Sequence, residues 1–125
     1  EGLDGGAFYE PTVFTGVSAD MRIAREEIFG PVLSVFRWTN EAAMLADVEG
    51  TEFGLTASIW TERISTALSV AEGLNVGYVW INGVGSHIHG APFGGVKQSG
   101  LGREESIEEL FAYTSIKTIN VRHSR

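Results

Sequence analysis

Residues 55–82 read LTASIWTERISTALSVAEGLNVGYVWIN, and the change of period inside this stretch sets the fold class. Leu55 to Trp60 is a short, mostly apolar run with strand character. Ile64, Ala67, Leu68 and Ala71 then recur at helical spacing, and Gly73 supplies a stop. Gly77 to Asn82 returns to aromatic and β-branched residues, the mark of a second buried strand. Upstream, Val32 to Trp38 reads as a strand. Thr39 and Asn40 are both good N-caps, and Glu41 to Val48 is a run of helix formers with acid in its first turn, ending at Gly50. The order from Val32 to Ile81 is therefore strand, helix, strand, helix, strand. Crossovers of this length lay helices over a parallel sheet, which is why the strands are continuously apolar instead of alternating. The expected class is α/β with a parallel, helix-covered sheet.

The flanks carry different chemistry. Ala7 to Thr15 reads as a further strand in a glycine- and proline-punctuated region. After Asn82 a long segment holds Gly83, Gly85, Gly90, Gly94, Gly95, Gly100 and Gly102, and structureless stretches of that length inside a domain are usually functional. A last helix is expected over about Arg103 to Tyr113, although Ser106-Ile107-Glu108-Glu109 matches a capping box and offers a later start. Ile116 to Arg122 alternates strictly, as a half-exposed strand does, and finds no obvious partner inside the chain.

Composition narrows the function. Nine Lys and Arg against sixteen Asp and Glu leave a net charge of −7, which disfavours nucleic acid. No apolar run approaches the ~20 residues of a membrane-spanning helix. With no cysteine, the chain has neither a disulfide nor a thiol nucleophile of its own. It opens on Glu1-Gly2, without an initiator Met or a signal-like stretch, and is expected to be a piece of a longer chain.

Individual motifs read blandly when taken alone. Gly83-Val84-Gly85-Ser86-His87-Ile88 starts like a dinucleotide fingerprint but lacks the third glycine and the following helix. Gly94-Gly95-Val96-Lys97 lacks the spacing and Ser/Thr of a phosphate-binding loop. His87 and His89 have no evident third ligand, so no metal is expected. Glu26 and Glu27 are adjacent carboxylates of the kind found on solvated faces.

In combination the motifs resemble the aldehyde dehydrogenase family. Glu26-Glu27-Ile28-Phe29-Gly30-Pro31-Val32, preceded by Pro11-Thr12-Val13-Phe14 and Asp20-Met21-Arg22-Ile23-Ala24, is similar to the family's entry into its catalytic domain. Asn82, then Ala91-Pro92-Phe93-Gly94-Gly95-Val96-Lys97-Gln98-Ser99-Gly100-Leu101-Gly102-Arg103-Glu104, and finally Tyr113-Thr114-Ser115-Ile116-Lys117-Thr118, resemble its terminal motifs in order and spacing.

The resemblance implies an NAD(P)-dependent oxidation of an aldehyde to a carboxylic acid, through a cysteine thiohemiacetal and a thioester, with NAD or NADP as hydride acceptor. The nucleophile and general base would lie upstream, so no catalytic residue is expected here and the piece alone should be inactive. Glu27 is implied to accept hydrogen bonds from the nicotinamide ribose, while Glu26 faces solvent. Phe29 is implied to pack by the nicotinamide. Val84, Gly85, His87 and Phe93 would line the aldehyde-entry funnel, with Asn82 and Glu104 as possible supporting residues. Glu104 reads equally as an acid at a helix N-terminus. Residues 1–113 would be the C-terminal part of the catalytic domain and 114–125 an oligomerisation arm, in a homo-oligomeric cytoplasmic enzyme. Two other readings compete: a non-catalytic oligomerisation or interaction module retaining the fold, and a hydrolase using Glu27 and Glu104, which needs both acids in one cleft.

Overall fold

A computed structural model describes residues 5–123 of the chain, which divide into two compact units, one ending at Glu52 and one beginning at Phe53. In the first unit, β1 (Thr12–Phe14) pairs in parallel with β2 (Val32–Ser34), Val13 lying opposite Leu33. The connection between them holds a single 3-10 turn, Arg22–Ala24, in place of a full crossover helix. Backbone bonds at both ends extend the ladder, Thr12 N–H to the Pro31 carbonyl and Val35 N–H to that of Phe14, each 2.8 Å. Helix α1 (Glu41–Glu49) follows, started by Asn40, whose side chain accepts the Ala43 N–H at 2.9 Å, and ended at Gly50.

The second unit is built on a β-α-β crossover. Strand β4 (Thr56–Ile59) runs into α2 (Ile64–Gly73), which returns the chain to β5 (Tyr78–Ile81), parallel to β4 with Thr56 opposite Tyr78 and Ile59 opposite Ile81. Of the expected stripe of α2 only Ala67 is buried, joined by Val70, while Ile64 and Leu68 are exposed. A two-residue antiparallel ladder joins β3 (Phe53–Gly54) to β6 (Val96–Lys97), which no sequence period signals. The last helix, α3 (Ile107–Ala112), takes the later of the two expected starts, with Ser106 at its N-cap.

The architecture is α/β with parallel pairing and a helix on the sheet, as expected, with two differences. The expected sheet is divided: β2 pairs with β1 in the first unit and β4 with β5 in the second, and the ladders are three and four residues long, shorter than the apolar runs that announced them. Residues 114–123 form no strand, because their alternation supplies no ladder partner among the described residues. Ile116, Ile119 and Val121 remain exposed. The expected segment boundaries at residues 1 and 125 lie outside the described residues. No helix of the described residues is long and apolar enough to cross a membrane.

Candidate functional site

Two clusters hold the residues singled out by sequence, one in each unit. In the first, the chain leaves the 3-10 turn through Glu26, whose carboxylate takes both Nε and a terminal N–H of Arg22 at 2.8 and 2.7 Å. These hydrogen bonds from the Arg22 guanidinium hold the Glu26 carboxyl below its ordinary range. Glu26 is thus exposed as expected, and it is also engaged. Glu27 is exposed beyond it.

Two residues later the backbone does something costly. Phe29 sits at φ +51°, a left-handed conformation that a bulky side chain adopts at about 1–2 kcal/mol, and its ring is 91% exposed. Gly30, Pro31 and Val32 complete the turn, Val32 N–H bonding the Gly30 carbonyl at 2.7 Å. An open groove of about 580 Å³ runs beside them, lined by Tyr9, Phe14, Ile23, Ile28, Phe29 and Val32 among others. A strained, presented aromatic beside an open apolar groove is the pattern of a ligand-facing segment.

The second cluster forms where β5 delivers the chain into the glycine-rich loop. Strand alternation puts Tyr78 and Trp80 on one face. On that face the loop stacks His87, whose ring lies 4.4 Å and 29° from Phe93, 5.9 Å from Trp80 and 6.1 Å from Tyr78. Tyr78 also meets Trp80 at 4.9 Å and Phe93 at 5.6 Å. The indole N–H of Trp80 donates to the Ser86 carbonyl at 2.6 Å, tying down the residue before His87. Nδ1 of His87 meets a carboxylate oxygen of Glu105 at 2.6 Å.

The loop is anchored at both ends. Asn82, at φ +53°, returns its side chain to β4's exit, donating to the Thr61 carbonyl and accepting the Thr61 N–H. Ser58 Oγ donates to the Gly83 carbonyl at 2.6 Å. At the far end Phe93 and Glu104 bridge by reciprocal backbone bonds of 3.0 and 2.7 Å. Beneath them the backbone closes on itself: a Cβ on Gly77 would stand 1.6 Å from the Gly94 carbonyl oxygen. Arg103 caps this seam, donating to the Gly95 and Gly102 carbonyls at 2.7 Å each.

Of the sequence candidates, His87 and Phe93 come together, Asn82 anchors the loop, and Val84 and Gly85 stand exposed at its start. Glu104 is exposed and lies in the bridge to Phe93, outside the first turn of α3, whose acids are Glu108 and Glu109; the helix-terminus reading of Glu104 is thereby corrected. Sequence reasoning missed Tyr78 and Trp80, although their two-residue spacing on a strand could have found them. It also missed Glu105, whose left-handed φ of +61° no local motif announces. Among the described residues no group of three or more His, Cys, Asp or Glu could hold a metal ion.

The family model described as the aldehyde dehydrogenase family matches residues 1–119. This chain belongs to that family. It is 50% identical over 119 residues to aldehyde dehydrogenase tropH of Talaromyces stipitatus, and 49% identical over 121 residues to a betaine aldehyde dehydrogenase of Mesorhizobium japonicum. Those alignments cover 95% and 97% of this chain but 23% and 25% of the relatives, so the chain spans about a quarter of their length. Among solved structures it is similar to the NAD+ complex of aldehyde dehydrogenase from Bacillus cereus, with a TM-score of 0.83 and 45% identity over 90% of this chain and 23% of that one. It is also similar to the indole-3-acetaldehyde dehydrogenase AldA of P. syringae in complex with NAD+ and IAA, with a TM-score of 0.85 and 44% identity over 94% of this chain and 24% of that one.

Proposed function

We propose that this aldehyde dehydrogenase segment works as the C-terminal part of an NAD(P)-dependent enzyme that oxidises an aldehyde to a carboxylic acid. The observation that carries the reading is Phe29, held at φ +51° and 91% exposed directly after Glu27. Backbone strain of this kind clusters at ligand-facing segments, which supports the reading.

The residues present fit a nicotinamide dinucleotide. The exposed carboxylate side chain of Glu27 offers two acceptor oxygens, which suits the paired hydroxyls of a ribose. Phe29 offers a flat apolar face to a nicotinamide ring, restricting its movement. The cofactor, when bound, accepts hydride from the substrate. The NAD+ complexes of the B. cereus and P. syringae relatives support NAD as the dinucleotide.

On this reading Val84, Gly85, His87 and Phe93 form the wall by which the aldehyde enters, and Asn82 and Glu104 hold that wall's two ends. The nucleophile comes from a cysteine outside this chain, which has none. Residues 1–113 belong to the catalytic domain, and residues 114–125 form an arm that pairs with a second subunit of a cytoplasmic homo-oligomer.

The test is a comparison of the full-length protein with residues 1–125 alone. The full-length protein should reduce NAD or NADP when given an aldehyde, and the segment should give no turnover above a heat-treated control. Turnover by the isolated segment, or none by the full-length protein with any aldehyde, overturns the reading.

A further inference from the structure

His87 and Glu105 form a pair that the oxidation of an aldehyde does not require. An ionised carboxylate can only accept hydrogen bonds. Nδ1 of His87 lies 2.6 Å from a Glu105 oxygen, and in the tautomer in which Nδ1 donates to that carboxylate, Nε2 is left as a lone-pair acceptor. Among the described residues nothing occupies that acceptor, and the side chain is 33% exposed.

The pair is also built. Glu105, at φ +61°, has both backbone groups engaged, its carbonyl accepting the Gly90 N–H and its N–H donating to the Glu109 side-chain carboxylate, each at 2.8 Å. Its second oxygen, Oε2, is shielded from solvent with no hydrogen-bond partner. A surface glutamate would rotate that oxygen into water, so the carboxylate is constrained to face the imidazole. Phe93, Trp80 and Tyr78 supply flat apolar faces around the ring, and aromatic groups prefer such offset or tilted neighbours.

We infer that Glu105 is a positioning residue that, through His87, makes the entry loop select aromatic aldehydes carrying a hydrogen-bond donor. The inference rests on the entry-wall reading of the loop given above. The ring cluster receives the aromatic body of the substrate, and Nε2 of His87 receives its donor.

The experiment uses the full-length enzyme with para-(hydroxymethyl)benzaldehyde and para-ethylbenzaldehyde, which match in size and differ in a hydroxyl donor. Both aldehydes and every variant are compared at one fixed pH. The readout is the ratio of the two kcat/KM values. His87→Phe keeps the stacked ring and removes the acceptor, and should lower the ratio about tenfold, through KM of the hydroxylated aldehyde. Glu105→Ala should lower it in the same direction, and Glu105→Gln, which can still accept from Nδ1, should restore most of it.

An unchanged ratio in His87→Phe overturns the inference, and a ratio that falls there but not in Glu105→Ala overturns the positioning role. Should the variants fold poorly, nitrogen NMR of the wild-type imidazole decides: a proton on Nδ1 supports the pair and a proton on Nε2 overturns it. A wild type that oxidises no aldehyde overturns the dehydrogenase reading and this inference together, whereas an active wild type with no preference for the donor overturns the inference alone.

Discussion

Asn82 and Thr61 are joined by two hydrogen bonds of 2.9 Å, one in each direction, between the side-chain amide of the first and the backbone of the second. This clamp fixes the point where β5 ends and the loop begins, at a residue whose φ of +53° favours asparagine or glycine. Asn82→Ala removes both bonds and retains the left-handed cost, so it should destabilise the protein by about 2–3 kcal/mol. Asn82→Gly removes the bonds alone and should be milder by about 1 kcal/mol. Urea denaturation of the full-length protein and both variants checks the order; equal losses would remove φ from the explanation.

Gly77 has no room for any side chain. With a Cβ placed 1.6 Å from the Gly94 carbonyl oxygen, relief must come from moving backbone, because no flexible side-chain tip stands in the way. Gly77→Ala should cost about 3 kcal/mol or more and displace the aromatic cluster with it. A drop in melting temperature, accompanied by changed fluorescence of Trp80, is the expected signature.

The Arg22–Glu26 pair gives a pH prediction. The folded-state pKa of Glu26 lies below its ordinary 4.5, through hydrogen bonds from Arg22. A depressed carboxyl contributes stability that is present above the unfolded value and lost as pH falls through the folded one. Glu26→Gln should therefore loosen the 3-10 turn at pH 7 and make no difference once pH is well below 4.5. Both groups are exposed, so raising the salt to about 0.5 M should also erase the difference. Amide exchange at Arg25 and Glu26 in wild type and variant provides the measurement.

Glu27 and Glu26 are neighbours with opposite assignments, which makes them each other's control. In the full-length enzyme Glu27→Gln should raise KM for the dinucleotide or slow hydride transfer about tenfold, while leaving thiol alkylation rates unchanged. Glu26→Gln should leave both near wild type. Stopped-flow measurement of NADH formation distinguishes the two; a silent Glu27→Gln would remove Glu27 from the site.

The α/β class, helices α1 and α2 and the later start of α3 were legible because each rests on local chemistry. Asn40 caps α1 within the chain's own reach, and Ala67 follows from the helical stripe, whereas Ile64 and Leu68 of that stripe are exposed and Val70 is buried in their stead. Start signals were less literal. Ser106 spends its hydroxyl on Glu108, and Glu109 reaches back to the Glu105 N–H, one residue short of a true capping box. What could not be read depends on distant partners. The β3–β6 ladder is two residues long and set by Ser99, whose hydroxyl takes the Gly54 N–H across 45 positions. Glu105 is aimed by a backbone bond from Gly90 and by its own N–H donating to the Glu109 carboxylate, which no period in the sequence encodes. The expected strand at 116–122 needs a ladder that its own alternation cannot supply.

That last segment carries a prediction of its own. Ile116 is 99% exposed and Ile119 and Val121 are exposed beside it. If residues 114–123 pair with a second subunit, Ile119→Asp should shift the full-length protein from oligomer to smaller species in light scattering. Amide protons of Ile116 to Val121 should lose protection in the variant. An unchanged mass with protection retained would show that the strand pairs within its own chain.

The anchoring of the 83–91 loop has a consequence for engineering. Its ends are held by Asn82 on Thr61 and by the Phe93–Glu104 bridge, and the floor beneath is a glycine seam made of backbone, so none of these supports depends on which side chains the loop itself displays. The segment is therefore a cassette: loops of equal length from other members of the family should be exchangeable without rebuilding the scaffold. The exception is His87, because its partner Glu105 lies outside the loop, and a graft that brings or removes this histidine must carry position 105 along with it.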